Sequence, residues 1–144
     1  MIIDVTDISR MRKFAAKMAK NLRGGDIVAM QGEIGAGKTT LAKLILQSAG
    51  VKTSVSSPTF TIMARHRANK LDFYHLDLYR LKNYHDAYAL GLEELWGRKQ
   101  NVFLIEWADK IKASLPKKSI ILDFKINGRQ RKIIIKNGRK NFQI

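Results

Sequence analysis

Cysteine is absent from this 144-residue chain. Disulfide bridges are therefore excluded, and nothing in the composition indicates an oxidising compartment. Long apolar runs are absent too, since no window approaches the roughly 18 consecutive apolar residues of a membrane-spanning helix. Residues 1–4 do not open a leader in which a basic segment precedes a long apolar one. We therefore expect a cytoplasmic protein that makes no membrane contact.

Acidic residues are scarce relative to basic ones. Twelve aspartates and glutamates stand against 27 lysines and arginines, which gives a formal net charge of +15. Such an excess favours polyanionic partners, above all nucleic acid, so one expectation is a tRNA contact through the basic surface. The basic residues are densest in the last third of the chain, and no aromatic-interleaved RNA motif accompanies them. A lysine-rich, solvated surface without an RNA partner stays open as the alternative.

The length and the apolar content are those of one globular domain. A chain of 144 residues with 45% hydrophobic residues is long enough to bury an ordinary core. The sequence contains no internal repeat and no low-complexity linker. We therefore expect a single domain over residues 1–144.

The most informative motif is the run Gly-Glu-Ile-Gly-Ala-Gly-Lys-Thr at residues 32–39, which matches the phosphate-binding loop G-x-x-x-x-G-K-[ST]. An apolar, strand-like run at 27–30 precedes it, and Leu41, Leu44 and Ile45 follow it at helical spacing. The motif carries meaning only in such a strand–loop–helix setting. A glycine-rich turn that ends in Gly-Lys-Thr by chance is the alternative.

This loop predicts that the chain binds a nucleoside triphosphate. Glycines allow backbone N–H groups to curl around phosphate oxygens, and the N-terminus of the following helix adds partial positive charge. Lys38 is expected to reach the β- and γ-phosphates, and the Thr39 hydroxyl is expected to hold Mg²⁺. The predicted nucleotide-binding residues of the loop are Glu33, Gly35, Ala36, Gly37, Lys38 and Thr39.

Helices are predicted before and after the loop and again in the second half of the chain. Apolar residues step by three and four over 8–22, with Thr6 or Asp7 as the N-cap. A further short helix is predicted over 86–95 and is closed by Gly97.

Strands alternate with these helices. They are predicted at residues 27–30, 60–65, 71–76, 102–105, 120–126 and 132–136. The second and third flank a basic turn that contains Asn69, and the last two are joined through Asn127 and Gly128. This alternation around a phosphate loop predicts an α/β fold of the P-loop NTPase type, with a mainly parallel sheet flanked by helices and with late antiparallel strands.

Two acidic residues stand where strands are predicted to end. Glu106 directly follows the buried, parallel-type run 102–105, which is the position of a Mg²⁺-site acid after a core strand. Asp77 follows the strand over 71–76. Either carboxylate could be an ordinary solvated strand end, but two of them in a domain that holds a triphosphate favour catalytic roles.

Three other residues are candidates with structural alternatives. Thr59 follows the polar connection after the first strand–helix unit, where a serine or threonine often senses the γ-phosphate, and ordinary turn chemistry around Pro58 is the alternative. Trp107 either belongs to the core or forms a wall of the site. His75 and Asp77 do not predict zinc, because a third ligand is missing.

Five segments occur in this order: Gly-Glu-Ile-Gly-Ala-Gly-Lys-Thr-Thr (32–40), Ser-Pro-Thr-Phe (57–60), His-Leu-Asp-Leu-Tyr-Arg (75–80), Gly-Leu-Glu-Glu (91–94) and Ile-Glu-Trp (105–107). Together they resemble the TsaE (YjeE) family of small bacterial P-loop ATPases, over roughly residues 4–135. The resemblance implies a protein required for making threonylcarbamoyladenosine, the modified adenosine beside the anticodon of tRNAs that read codons beginning with A. It implies that the chain binds the TsaB–TsaD transferase pair and hydrolyses ATP to keep that pair cycling.

The resemblance also implies roles for residues that match the family's motifs. Lys38 binds the phosphates, Thr39 holds Mg²⁺ and Thr40 supports the phosphates. Thr59 belongs to a switch-like segment. Asp77 and Glu106 are essential acids, with Glu106 at the Mg²⁺ site, and Trp107 lies beside the nucleotide. Asp7 and Arg131 occupy places where family members contribute to the nucleotide site, although no motif anchors them. Many members read Glu-Trp-Pro-Glu where this chain has Glu106-Trp107-Ala108-Asp109, so no role is carried over to Asp109.

Two other functions fit a phosphate loop in a basic chain. A small P-loop kinase would phosphorylate a metabolite, but it needs a lid and an acceptor pocket, for which 144 residues leave little room. A nucleotide-gated RNA-binding module would use the charge of +15 and would not depend on hydrolysis.

Overall fold

The computed structural model describes residues 1–52, 62–138, 142 and 144. Within these ranges seven strands form a single sheet: β1 Ile2–Asp4, β2 Ile27–Gln31, β3 Met63–Ala68, β4 Leu71–Asp77, β5 Asn101–Glu106, β6 Ile120–Asn127 and β7 Gln130–Asn137. In space the strands follow the order β1-β7-β6-β2-β5-β4-β3. The strand that precedes the glycine loop, β2, therefore lies at the centre of the sheet.

The centre of the sheet is parallel and both margins are antiparallel. β2 pairs in parallel with β6 and β5, and β5 pairs in parallel with β4. The pairs β1–β7, β6–β7 and β3–β4 are antiparallel. The described strands thus form an evenly mixed sheet, and the prediction of a mainly parallel one is wrong in its proportions. The short turns that join β3 to β4 and β6 to β7 allow only antiparallel neighbours.

The β3–β4 hairpin corrects one predicted boundary. The strand predicted over 60–65 is described from Met63 and continues to Ala68, while residues 60–61 lie outside the described ranges. Pairing with β4 persists up to Ala68 opposite Leu71, because Asn69 and Lys70 form a two-residue turn with φ values of 51° and 64°. Such a turn matches the twist of the strands that it joins, so pairing reaches the turn.

Helices cover both faces of this sheet. They are α1 Ile8–Asn21, α2 Lys38–Ser48, α3 Tyr84–Tyr88 and α4 Leu92–Trp96, followed by a 3₁₀ segment Ala108–Ser114. The predicted N-cap of α1 is confirmed as Asp7, whose Oδ1 accepts a hydrogen bond from the Arg10 N–H at 2.8 Å. The single helix predicted over 86–95 is wrong, because Gly91 adopts φ 66° and divides it into α3 and α4. Gly97 does end α4, as predicted.

Two apolar clusters fill the space between sheet and helices. On one face α1 and α2 pack over Met30 of β2 and Leu104 of β5. On the other face α4 and the 3₁₀ segment pack over Ala29 and Ile105. Alternate residues of β2 and β5 are therefore buried on opposite faces, which is why these strands read as continuous apolar runs. Within the described ranges, no helix is both long and apolar enough to cross a bilayer.

Candidate active site

The carboxyl ends of β2, β5 and β4 meet at one edge of the sheet, and a cavity of about 370 Å³ opens there. Open α/β sheets characteristically bind ligands at this edge. The cavity is lined by Ile34, Gly35, Ala36, Gly37, Lys38, Thr39, Thr40, Asp77, Tyr79, Glu106 and Trp107. The glycine loop and both predicted strand-end acids thus share one cavity.

Two glycines give the loop its shape. Gly32 leaves β2 with φ 136°, and a Cβ at that position would lie 2.7 Å from the Phe124 carbonyl oxygen of β6. Gly37 adopts φ 102° immediately before the first residue of α2. Both backbone conformations would be strained in a residue that carries a Cβ. Glycine at these two positions therefore allows the loop to leave β2 and enter α2 along this path.

Lys38 is the first residue of α2 and is only 4% exposed. Its Nζ donates hydrogen bonds to the carbonyl oxygens of Gly32 at 2.6 Å and Glu33 at 2.8 Å. Burial lowers the pKa of the Lys38 ammonium, and the negative charges of Glu106, Asp109 and Asp77 partly offset that effect. The side chain therefore holds a poorly solvated positive charge beside the loop, where an anion would stabilise it.

Glu106 ends β5 and is 2% exposed, and each of its carboxylate oxygens lies within hydrogen-bonding distance of a polar side-chain atom. The Thr39 hydroxyl donates to Oε2 at 2.6 Å, and the Nε2 atom of His75 lies 2.7 Å from Oε1. Thr39 comes from the start of α2 and His75 from β4. The contact with Thr39 thus joins the first residues after the loop to the end of the neighbouring strand.

Asp77 occupies the equivalent position on β4, in register with Glu106. It is half-buried, and its Oδ1 accepts a hydrogen bond from the Tyr79 N–H at 3.0 Å. The two acids therefore stand side by side at the mouth of the cavity, one enclosed and one in contact with solvent.

An aromatic pair closes the cavity on one side. Trp107 adopts φ 58°, a left-handed conformation that is uncommon for a residue with a large side chain. Its ring lies 3.9 Å from the Nζ of Lys38, and its centroid lies 4.9 Å from that of Tyr79. Backbone strain of this kind collects at functional sites. The indole therefore forms a wall of the cavity, which is one of the two positions that the sequence predicted for Trp107.

Oxygen donors for a divalent cation are present at this edge. The Thr39 hydroxyl and the Glu106 carboxylate make the kind of small donor set from which Mg²⁺ is bound, because that ion keeps several waters and takes few protein ligands. The described ranges hold no group of three His, Cys, Asp or Glu side chains arranged for a metal. The residues present fit Mg²⁺ and do not form a preassembled zinc site.

The remaining predicted site residues do not line the cavity or lie outside the described ranges. Glu33 contributes its carbonyl oxygen to Lys38 and does not line the cavity. Asp7 caps α1 and pairs with Arg10 at 3.1 Å, and the backbone of Arg131 bonds Thr6 and Val5. Both lie outside the cavity lining, so a direct nucleotide contact stays a prediction. Thr59 lies outside the described ranges.

Sequence reasoning missed two residues of the site. His75 was considered only as a metal ligand, yet it contacts Glu106 directly. Tyr79 was given no role, yet it lines the cavity and packs against Trp107. The available signal for His75 was a polar residue two positions before Asp77, in a strand whose other central residues are apolar. Alternation along a strand places both on the face that carries Glu106.

The chain was compared with known proteins. Residues 5–134 match a family model described as "Threonylcarbamoyl adenosine biosynthesis protein TsaE". A protein of Rickettsia conorii named tRNA threonylcarbamoyladenosine biosynthesis protein TsaE is 38% identical over 135 residues, which cover 92% of this chain and 76% of the relative. The protein of the same name from Bacillus subtilis is 34% identical over 126 residues, which cover 88% of this chain and 76% of the relative.

A similar fold occurs among solved structures. The crystal structure of YdiB from Bacillus subtilis has a TM-score of 0.77 to this chain at 28% identity, and the match covers 94% of this chain and 83% of YdiB. The family model covers nearly the whole sheet together with the cavity at its edge. This chain is therefore a member of the TsaE family.

Proposed function

We propose that the protein is a P-loop ATPase that serves the biosynthesis of threonylcarbamoyladenosine in tRNA. The observation that carries the catalytic part is the contact between Thr39 and Glu106 beside the buried Lys38. Membership of the TsaE family supports the pathway. The cytoplasm, where tRNA is modified, is the compartment that this function requires.

Several features of the cavity support ATP as its ligand. Residues 35–39 line the cavity and lead into α2, whose N-terminus favours phosphate. Lys38 supplies a buried positive charge for the β- and γ-phosphates, and Thr40 lies two residues further into the helix, where it would support them. The indole of Trp107 provides a flat apolar wall beside this charge.

The two acids have different roles in this proposal. The Glu106 carboxylate lies 2.6 Å from the Thr39 hydroxyl, which places two oxygen donors together, so Glu106 and Thr39 would hold Mg²⁺. Mg²⁺ bound there would neutralise negative charge that develops on the phosphates during transfer. Asp77 is half-buried and lines the same cavity, so we assign to it the orientation of the attacking water. Thr59 is proposed to sense the γ-phosphate.

We propose that a TsaB–TsaD-like transferase complex is the partner and that it stimulates hydrolysis. The isolated chain should release phosphate from ATP slowly, and the complex should accelerate release several-fold, because docking orders the groups around the attacking water. Steady-state phosphate release with and without the complex measures this, with Lys38→Met as the inactive control.

Equal rates with and without the complex would contradict stimulation by the partner. Phosphate release without any acceptor also separates the ATPase from a metabolite kinase, which would need its acceptor. Pulldown of partners from lysate with and without ATP adds an independent measurement of complex formation.

Trp107 should report nucleotide binding, because its ring lies 3.9 Å from the Lys38 ammonium that phosphates would contact. The chain has two tryptophans, so each single variant leaves one emitter. Trp96 lies at the end of α4, edge-on to Phe103, and lines a separate cavity. We expect ATP with Mg²⁺ to change the emission of Trp96→Phe and to leave that of Trp107→Phe unchanged. The reverse pattern would move the nucleotide to the other cavity.

A tRNA contact through the basic surface is a separate proposal. Lys125 and Lys136 already pair with Asp123 at 3.3 and 3.2 Å, so part of the basic C-terminal region is neutralised internally. At the opposite margin of the sheet, Lys52 and Arg67 line one cavity and make that edge basic.

Any tRNA contact with this surface should depend strongly on salt. Six to ten phosphate contacts lose about three to five decades of affinity between 50 and 200 mM salt. Filter binding of tRNA across that range, with wild type and Lys52→Gln/Arg67→Gln, measures the response. A flat response would show that the charge of +15 serves no RNA contact.

A further inference from the structure

His75 is a buried titratable residue to which the proposed chemistry gives no task. It lies near the end of β4, is 0% exposed, and has its Nε2 atom 2.7 Å from Oε1 of Glu106. Its other ring nitrogen, Nδ1, is also buried and finds no hydrogen-bond partner within the described part of the chain. Burying a histidine in a core strand is costly unless its polar atoms are satisfied, so the single bond to Glu106 dominates its environment.

The two nitrogens fix the tautomer of the ring. A neutral imidazole carries one N–H. A proton on Nδ1 would leave a buried donor unpaired and would set the Nε2 lone pair against a carboxylate oxygen at 2.7 Å. A proton on Nε2 makes a hydrogen bond to the carboxylate and leaves only an acceptor without a partner. The Nε2–H tautomer of His75 therefore donates to Glu106.

This hydrogen bond determines how Glu106 presents its second oxygen. A glutamate side chain rotates about several bonds, and one contact with Thr39 would leave the plane of the carboxylate undefined. Two short hydrogen bonds, one from β4 to Oε1 and one from α2 to Oε2, define that plane and leave Oε2 beside the Thr39 hydroxyl. In metal sites such outer partners orient the ligand, and their loss commonly weakens metal binding about 10- to 100-fold.

We propose that His75 is a positioning residue that orients the Glu106 carboxylate for Mg²⁺, an inference that rests on the proposed nucleotide site. The pairing of β4 with β5 makes this bond possible. His75 lies opposite Leu104 in the parallel register, and Leu104 and Glu106 share a face of β5, so His75 lies on the face that carries Glu106. A purely structural histidine would stabilise the sheet and leave the affinity for Mg²⁺ unchanged.

The test separates metal binding from folding and from nucleotide binding. Calorimetry measures binding of a non-hydrolysable ATP analogue without Mg²⁺, and then binding of Mg²⁺ to the protein–analogue complex. His75→Leu has similar bulk and no donor, whereas His75→Gln has an amide that can donate to Glu106. His66→Leu is the matched control, since His66 lies on the adjacent strand β3 and its ring nitrogen makes no bond to Glu106.

We expect His75→Leu to weaken Mg²⁺ binding about 10- to 100-fold while analogue binding without Mg²⁺ stays close to wild type. His75→Gln should restore most of the affinity for Mg²⁺, and His66→Leu should match wild type. Unchanged Mg²⁺ affinity in His75→Leu would overturn the inference, as would a loss that follows melting temperature equally in the leucine and glutamine variants. Failure of wild type to bind the analogue at all would instead contradict the proposed ATP site.

A second measurement uses the wild-type protein alone and needs neither a variant nor a ligand. Nitrogen-15 NMR of the imidazole rings in wild-type protein identifies which ring nitrogen carries the proton. The inference requires a proton on Nε2 of His75, and a ring protonated on Nδ1 alone would overturn it.

Discussion

Glu106→Gln should still bind ATP and should hydrolyse it about a hundredfold more slowly or worse. The substitution keeps the shape of the side chain, and the amide can still accept a bond from His75 and interact with the Thr39 hydroxyl. It removes the negative charge that the proposed Mg²⁺ site would need. The loop's N–H groups and Lys38 are unaffected, so affinity for ATP should persist. Phosphate release and calorimetry measure the two quantities separately.

The cellular consequence of this variant is equally specific. Glu106→Gln should join its partners when ATP is present and should fail to sustain tRNA modification in a depleted strain. Glu94→Gln makes the same chemical change on the exposed surface of α4 and should behave as wild type. Normal hydrolysis by Glu106→Gln, or full complementation, would remove Glu106 from the mechanism and make Asp77 the principal acid.

Lys38→Met should lose both binding and hydrolysis. The residue supplies a buried positive charge at the loop, and a hydrogen bond to a charged group contributes about 1.5–3 kcal/mol. That loss corresponds to roughly ten- to a hundredfold in affinity for ATP, with a larger loss of turnover. Lys43→Met changes the same residue type within α2 and should retain both properties. Tight ATP binding by Lys38→Met would contradict the proposed site.

The stability of Lys38→Met provides a check on folding, with a defined dependence on pH. Burial lowers the pKa of Lys38 in the folded protein, so the charged form is less favourable there than in the unfolded chain. This cost is fully present below the lowered pKa and disappears as pH rises towards the ordinary lysine value. The difference in melting temperature between Lys38→Met and wild type, measured without nucleotide, should therefore shift in favour of wild type as pH rises from neutral into the alkaline range.

The residues of the site that local patterns define were predictable from sequence. The spacing of glycine, lysine and threonine located the loop, and apolar runs ending in acids located Asp77 and Glu106. These signals work because a strand end and a helix start are set by neighbouring residues. The threonylcarbamoyladenosine pathway was predicted from the resemblance to the TsaE family, because no single local pattern identifies a pathway.

The features that the sequence did not predict depend on how segments pack in the folded protein. The role of His75 follows from the pairing of β4 with β5, which no pattern within either segment specifies. The left-handed backbone of Trp107 is likewise held by its surroundings, since tryptophan has no local preference for it. The split at Gly91 was missed because an isolated glycine within an apparently helical segment is often tolerated.

The contact between Thr39 and Glu106 joins residues 67 positions apart in the chain, and that from His75 to Glu106 spans 31. No short fragment contains the site, so an unfolded or half-synthesised chain lacks it. A ligand that binds only the folded form stabilises that form by mass action, by about 2.7 kcal/mol at a hundred times its Kd. The nucleotide that this protein is proposed to consume would therefore also act as its folding ligand, and a fall in ATP would lower the folded population together with the activity.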